Sequence, residues 1–275
     1  VIVKGIMRKV IGTVLLVGIL AAAGNAASSS ATTDGGGSGL RVSILFNNVA
    51  FAPGLETAWG FAAVIEGLEQ TLLFDTGGDG ELLLANMARM GIDPGEIDAV
   101  FLSHFHSDHT HGLHRFLQRN PNATVFMPAT FPSDFQASTR KSGAHVDPIA
   151  ASRKLFAGAY SSGPMGQAPE EQALILDTDQ GLVIVTGCAH PGIVEIVRES
   201  TRRHGKAVRL LVGGFHLLRQ SERRIRETIS ELKALGVTQV APSHCTGDRA
   251  TALFREAWGE DFLDGGCGAV IEIAP

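Results

Sequence analysis

Cysteine, tryptophan and tyrosine are scarce in this chain of 275 residues: three, two and one respectively. Cys188, Cys245 and Cys267 allow at most one internal bridge, so the fold does not rest on a disulfide framework. An apolar run of bilayer length is also missing, since Val10 to Ala23 is about 14 residues and a spanning helix needs roughly 20. Positive charge is short as well. The whole chain carries net charge −5, and beyond residue 27 it has 20 Lys and Arg against 28 Asp and Glu, a net charge near −8. Phosphate backbones and anionic lipids are not drawn to such a surface, so the expected partner is a small-molecule substrate rather than a nucleic acid or a membrane. Oligomeric state is left open.

The first 27 residues are set apart from the rest. Lys4, Arg8 and Lys9 lead into the apolar run, and the small residues Gly24-Asn25-Ala26 follow it. This reads as a cleaved secretory signal peptide over 1–27, which implies a periplasmic or secreted mature protein without stable membrane insertion; an uncleaved anchor is the alternative. Residues 28–39, rich in Gly and Ser with no large apolar side chain before Leu40, read as a flexible linker. The folded domain is expected over 40–275, and 44% hydrophobic residues suffice for a real core.

Within that domain, apolar runs bounded by Gly and Asp predict strands at "LRVSILFNN", "GFAAVIEG", "QTLLFDTGG", "DAVFLSH", "TVFMP", "QALILDT", "GLVIVTG", "AVRLLVGG" and "TQVAPSH". Helical spacing predicts helices at "GELLLANMARMG", "HGLHRFLQRN", "PGIVEIVREST", "SERRIRETISELKALG" with Ser221 as cap, and "DRATALFREAWG" with Asp248 as cap. Residues 128 to about 171, rich in Pro, Ser and Gly, are expected to be long loops with short elements that contact substrate. Strands precede helices in both halves. The expected class is α/β, an αββα sandwich with two mixed sheets inside and helices on the outer faces.

The chemistry concentrates in "FLSHFHSDHTHGL", which holds four of the ten histidines, with His114 directly after it as a fifth. His104 and His106, two apart on an extended segment, can point the same way, and Asp108 and His109 follow on the turn into a helix. Such a cluster can serve two neighbouring metal ions, whereas burying it without partners would cost a few kcal/mol for each unsatisfied group. His190, His216 and His244 each follow a strand and a tight turn, and each could be structural alone or complete a coordination sphere together. Asp75 is read either as support behind a ligand histidine or as a turn former. His111 and His114 are left outside the cluster, and His145 and His204 are expected at the surface. Cys188 and Cys245, each within two residues of a histidine, either lie beside a metal or pack as small buried residues.

The series "FDTG", "SHFHSDHTHGL", "GCAHPG", "GGFHL" and "PSHCTG" resembles the motifs of the metallo-β-lactamase superfamily. Its order and context are similar to the subgroup named for 7,8-dihydropterin-6-methyl-4-(ribofuranosyl)aminobenzene 5'-phosphate synthase. The resemblance runs from about Leu40 to Ile273. It implies that His104, His106 and His190 bind a first ion and Asp108, His109 and His244 a second, with Asp75 behind them and Asp108 also catalytic. Zinc, two ions per chain, suits these ligands best, with manganese or iron admissible. Most members carry a bridging aspartate where this chain has "VGGFHLL", so His216 is left as an additional ligand or a substrate contact.

Three functions compete on this reading. One is an exported hydrolase that uses a metal-bound hydroxide on a small ester, lactone, lactam or phosphoester. Another is a dihydropterin-type synthase or transferase, and the third is a non-catalytic binding module on the same fold.

Overall fold

The computed structural model describes residues 39–274. The expected signal peptide, and all of the expected linker except Gly39, lie outside the described residues. No described helix is long and apolar enough to cross a membrane.

Two sheets form the centre. The first takes its strands from the start of the domain: β1 (Leu40–Asn47), β2 (Phe61–Glu66), β3 (Leu72–Phe74), β4 (Ala99–Phe101), β5 (Thr124–Pro128) and β6 (His145–Ile149). The second holds β7 (Arg153–Phe156), β8 (Ala159–Ser161), β9 (Leu174–Thr178), β10 (Gly181–Thr186), β11 (Val208–Gly214) and β12 (Gln239–Ser243). The last strand, β13 (Val270–Ile273), returns to the first sheet and pairs antiparallel with β1. Strand order is 13-1-2-3-4-5-6 in one sheet and 12-11-10-9-8-7 in the other. Strands β3 to β6 run parallel, as do β10 to β12, and the remaining pairs are antiparallel, so both sheets are mixed as expected.

Burial follows from the strand period. In β2, Phe61, Ala63 and Ile65 join Phe74, Phe101, Leu174, Val183, Val185, Leu210 and Val212 in one core cluster between the sheets. Ala62 and Val64 instead join Leu73, Leu83, Met87, Leu113 and Phe116 on the outer face of the first sheet. Each large side chain removed from water contributes about 1.5–3 kcal/mol. Strands buried on both faces explain the continuous apolar runs in the sequence.

The helices cover the outer faces. They are α1 (Gly80–Arg89), α2 (Ser107–Thr110), α3 (Leu113–Leu117), α4 (Ser133–Lys141), α5 (Ile193–His204), α6 (Glu222–Ala234) and α7 (Asp248–Trp258). Residues of α5, α6 and α7 pack on the outer side of the second sheet through Ile196, Ile225, Ile229, Leu232 and Phe254. Ser221 Oγ accepts from the Arg224 amide at 3.3 Å and caps α6 as expected. Asp248 does not cap α7: it is the first helical residue, behind Gly247, and makes no capping bond.

The segment 128–171 holds short elements as expected, α4, β6, β7 and β8, but they take up more of it than long loops would leave. β6 and β7 are the outermost strands of their sheets, where one edge is unpaired and polar residues are tolerated, and Pro148 sits within β6. Their half-exposed pattern gives no continuous apolar run to read.

Candidate metal centre

The C-terminal ends of β3, β4, β10, β11 and β12 deliver Asp75, His104, His190, His216 and His244 into one cluster. Parallel strands ending together bring distant residues into contact, and ligand sites collect at such ends. Every described non-glycine residue with a left-handed backbone lies on these loops: Asp75 (φ 51°), Ala189 (61°), His216 (53°) and His244 (51°). Conformations of this kind persist where surrounding packing over-determines them. Close approach adds a second constraint. A side chain on Gly187 would run into Ser103 Oγ and Asp75, and one on Gly214 would meet Gly187 O and Cys245 Sγ.

His104, His106 and His190 form one triad, with ring centroids 4.6–4.9 Å apart. Asp108, His109 and His244 form another, in which Asp108 Oδ2 lies 3.6 Å from His109 Nε2 and 3.4 Å from His244 Nε2. The triads adjoin through His104 and His109, whose rings are 4.2 Å apart. Within each triad the candidate ligand atoms all lie within 4.8 Å of one another.

Four of the five imidazoles are held from behind by hydrogen bonds that leave Nε2 facing forward, whereas His106 turns its Nδ1 toward His104 Nε2, 3.1 Å away. Asp75 Oδ2 accepts from His109 Nδ1 at 2.7 Å, and Glu171 Oε2 from His190 Nδ1 at 2.8 Å. Asn48 Oδ1 accepts from His244 Nδ1 at 2.8 Å. Ser103 Oγ, 2.9 Å from His104 Nδ1, donates to Asp75 Oδ2 at 2.7 Å, so Asp75 supports a histidine of each triad. Partners of this kind fix tautomer and orientation in metal-ligating histidines.

Glu171 went unnoticed in the sequence reading. It is buried, and it accepts from the backbone amides of Gly187, Cys188, Ala189 and His190 at 2.8–3.1 Å, shaping the loop that presents His190. Its only sequence signal is an acidic residue directly ahead of the apolar run "QALIL". Asn48, just beyond β1, gave none.

The remaining histidines divide by position. His216 is exposed but lies beside His190, with centroids 4.6 Å apart, and outside both triads. His111, His114 and His145 are exposed, and His204 is half-buried against Tyr160 rather than free at the surface. All three cysteines are free thiols; Cys188 and Cys245 are buried within the cluster, and Cys267 lies apart beside Leu45 O.

Burial dominates the electrostatics. It lowers His104 and His109 to about 3, with neighbouring histidines adding to the effect, so both imidazoles stay neutral, the form that ligates metal. Burial also pushes Asp75 up to about 8, against the pull of His104 and Ser103. Burial opposes ionisation of Asp108, but His244 and His109 outweigh it and hold the carboxyl well below the usual range. Glu171 is held low in the same way, burial being outweighed by His104 and the hydrogen bonds from His190.

The donors fit a metal by one further test. His244 Nε2 is buried, and among the described residues it has no hydrogen-bond partner. A buried imidazole nitrogen aimed at a carboxylate and a second imidazole is costly unless something else satisfies it.

The Metallo-beta-lactamase superfamily model matches residues 60–201. The chain is 32% identical to a 7,8-dihydropterin-6-methyl-4-(beta-D-ribofuranosyl)-aminobenzene-5'-phosphate synthase of Methanocaldococcus jannaschii, over 75% of this chain and 85% of that one. It resembles the crystal structure of Tm1679, described as a metal-dependent hydrolase of the beta-lactamase superfamily, with TM-score 0.74, 25% identity and coverage of 86% of this chain and 100% of that one. The metallo-beta-lactamase fold protein YhfI of Bacillus subtilis shares the fold with TM-score 0.66 at 15% identity, over 86% of this chain and 99% of that one. With its motif series, its two mixed sheets and its clustered histidines, this chain belongs to the metallo-β-lactamase superfamily.

Proposed function

We propose that this chain is a metal-dependent hydrolase that holds two divalent ions, zinc suiting the donors best and manganese or iron admissible, and cleaves a small ester, lactone, lactam or phosphoester. The observation that carries this reading is the pair of adjoining triads, His104, His106, His190 and Asp108, His109, His244, with every ring but that of His106 fixed from behind. Ions bound there supply Lewis acidity and bring the pKa of a coordinated water toward neutrality.

The chain's own groups do the rest. Asp108, the half-exposed acid of the cluster, is ionised at neutral pH and placed to orient the attacking water or receive its proton. Two exposed aromatics stand near the site: the Trp59 ring is 4.8 Å from His244, and Phe105 packs on Phe131 and Phe135 in the wall of the cavity beside His106. A cavity of about 490 Å³ beside His106, lined by Phe105, Phe131 and Pro169 among others, would take the non-reacting part of a small substrate. An aromatic wall and an acidic chain favour such a substrate over nucleic acid. We also propose export to the periplasm or medium from the composition of residues 1–27; cell fractionation that finds the full-length chain only in the cytoplasm would count against it.

A synthase-type transfer is the second reading, supported by the name of the relative at 32% identity. The test is a panel of lactone, β-lactam, carboxylic ester and phosphoester substrates offered to metal-loaded protein, beside His106→Ala. Cleavage of at least one class, lost in the variant, is expected. Cleavage of none by wild type would turn the assignment toward transfer or binding, and turnover surviving in His106→Ala would exclude the hydrolytic mechanism.

A further inference from the structure

Cys188 is assigned no role in the reading above, yet its thiol lies in the middle of the site. Its Sγ shares a group of mutually close donors with His104 and His109, another with His190 and His216, and a third with His244 and Cys245, every pair within 4.8 Å. It therefore stands near two members of each triad, His104 and His190 on one side and His109 and His244 on the other. No other side chain among these donor groups does so. Its contact with His109 Nε2 is 3.3 Å.

We propose that the Cys188 thiolate bridges the two ions, one sulfur ligating both. The 3.3 Å contact with His109 suits this role, because bonds of about 2.3 Å to sulfur and 2.0–2.1 Å to nitrogen at tetrahedral angles put the two donors on one ion roughly 3.5 Å apart, and the other histidines lie within 4.8 Å. Charge favours such a group. Two dications side by side repel, a shared anionic ligand offsets that repulsion, and Asp108 is the one carboxylate in the donor groups, placed in a single triad. The end of β11 cannot supply one: it is glycine, and a side chain at Gly214 would enter space taken by Cys245 Sγ, Gly187 O and Cys188. Glu171 holds the sulfur in place, since its Oε1 accepts from the Cys188 amide at 2.9 Å and from both neighbouring amides. On binding, the S–H bond breaks, its proton leaves to solvent, and the sulfur lone pairs form the two metal bonds, with no redox change.

The inference rests on the two-ion reading of the site, and the experiment separates the two. Metal-free protein is titrated with Co²⁺ alone, and both bound cobalt and near-ultraviolet absorption are followed for wild type, Cys188→Ser, Cys245→Ser and Cys267→Ser. Expected are two cobalt ions per wild-type chain, a thiolate-to-cobalt charge-transfer band that grows with both ions, and loss of that band in Cys188→Ser alone. Cys188→Ser should also bind the weaker ion at least ~10-fold less tightly. Two cobalt ions without a thiolate band in wild type would overturn the bridge and leave the two-ion reading standing, and this arm does not depend on any variant folding. A band lost in Cys245→Ser and kept in Cys188→Ser would overturn it as well, moving the ligand to Cys245. Failure of wild type to bind cobalt would overturn both.

Discussion

Glu171 lies directly behind His190: its Oε2 accepts both the His190 amide, at 2.9 Å, and the ring Nδ1, at 2.8 Å, while Oε1 takes three more amides of the same loop. One buried carboxylate thus sets both the path of the loop and the direction of the ring it carries. The contact spans β9 and β10, distant in sequence from the histidine-rich stretch that first marks the site, although Glu171 Oε2 lies 3.9 Å from His104 Nδ1.

Glu171→Gln tests that arrangement. Whichever way the amide turns, its NH₂ faces at least two donors, and each buried donor left unsatisfied costs about 1–3 kcal/mol. Denaturant unfolding should show a loss of about 2–6 kcal/mol, and competition with a chelator should show metal affinity ~10–100-fold weaker. Unchanged values would mean the loop is held by other contacts.

Acid should destabilise the metal-free protein, and the sign follows from two buried rings. His104 and His109 have folded values of about 3 against 6.5 when exposed, so below pH 6.5 the unfolded chain binds protons that the folded chain refuses. Their contribution is present above pH 6.5 and is lost as pH falls toward 3. Asp75 works the other way, keeping a proton between 3.8 and about 8 that the unfolded chain has released, but it is one group against two. Denaturation midpoints at pH 7, 6, 5 and 4 should fall steadily, and a flat series would refute the account.

Asp75 also predicts proton release. Raised to about 8 by burial, it holds a proton at pH 6.5 in the metal-free protein, shared across its 2.7 Å contact with His109 Nδ1, and cations bound by His104 and His109 would expel it and leave Asp75 the acceptor of that bond. Metal titrations in buffers of different ionisation enthalpy should release about one proton more from wild type than from Asp75→Asn at pH 6.5. That difference should vanish above pH 8. Equal release at pH 6.5 would show that Asp75 is already ionised.

What the sequence made legible was whatever has a period or a dense motif. Phe61, Ala63 and Ile65 alternate with Ala62 and Val64, and both faces of β2 were readable as buried; the cluster from His104 to His109 was readable because so many titratable groups share one strand end. Glu171 and Asn48 were not, because each acts through a partner 19 or 196 positions away, and nothing local distinguishes a buried carboxylate from a solvated one. Edge strands β6 and β7 were lost for a related reason: half-exposed backbone tolerates Pro148, Arg153 and Lys154. The place of Cys188 between the triads needed the fold as well, since sequence proximity to His190 could not show proximity to His109.

Gly214→Ala should be more costly than its single carbon suggests. The added methyl would press on a backbone oxygen, Gly187 O, and on the Cys245 sulfur, neither of which sits on a flexible arm. Overpacking of this kind costs about 1–3 kcal/mol. Thermal unfolding of the metal-free variant measures it, and an unchanged midpoint would mean that the ends of β10 and β11 can separate freely.

The two triads should fail independently. His106→Ala removes a ring from one and leaves Asp108, His109 and His244 intact; Asp108→Asn removes the anion from the other and leaves His104, His106 and His190 intact. Each variant should therefore bind about one ion where wild type binds two, by elemental analysis after dialysis. Activity should fall by ~100-fold or more in both, since the chemistry needs both ions. In Asp108→Asn the remaining ion should still be lost on adding Glu171→Gln, which weakens His190, whereas His106→Ala with Asn48→Ala, which frees His244, should lose the other. If either single variant bound no metal at all, the triads would be one cooperative site rather than two adjoining ones.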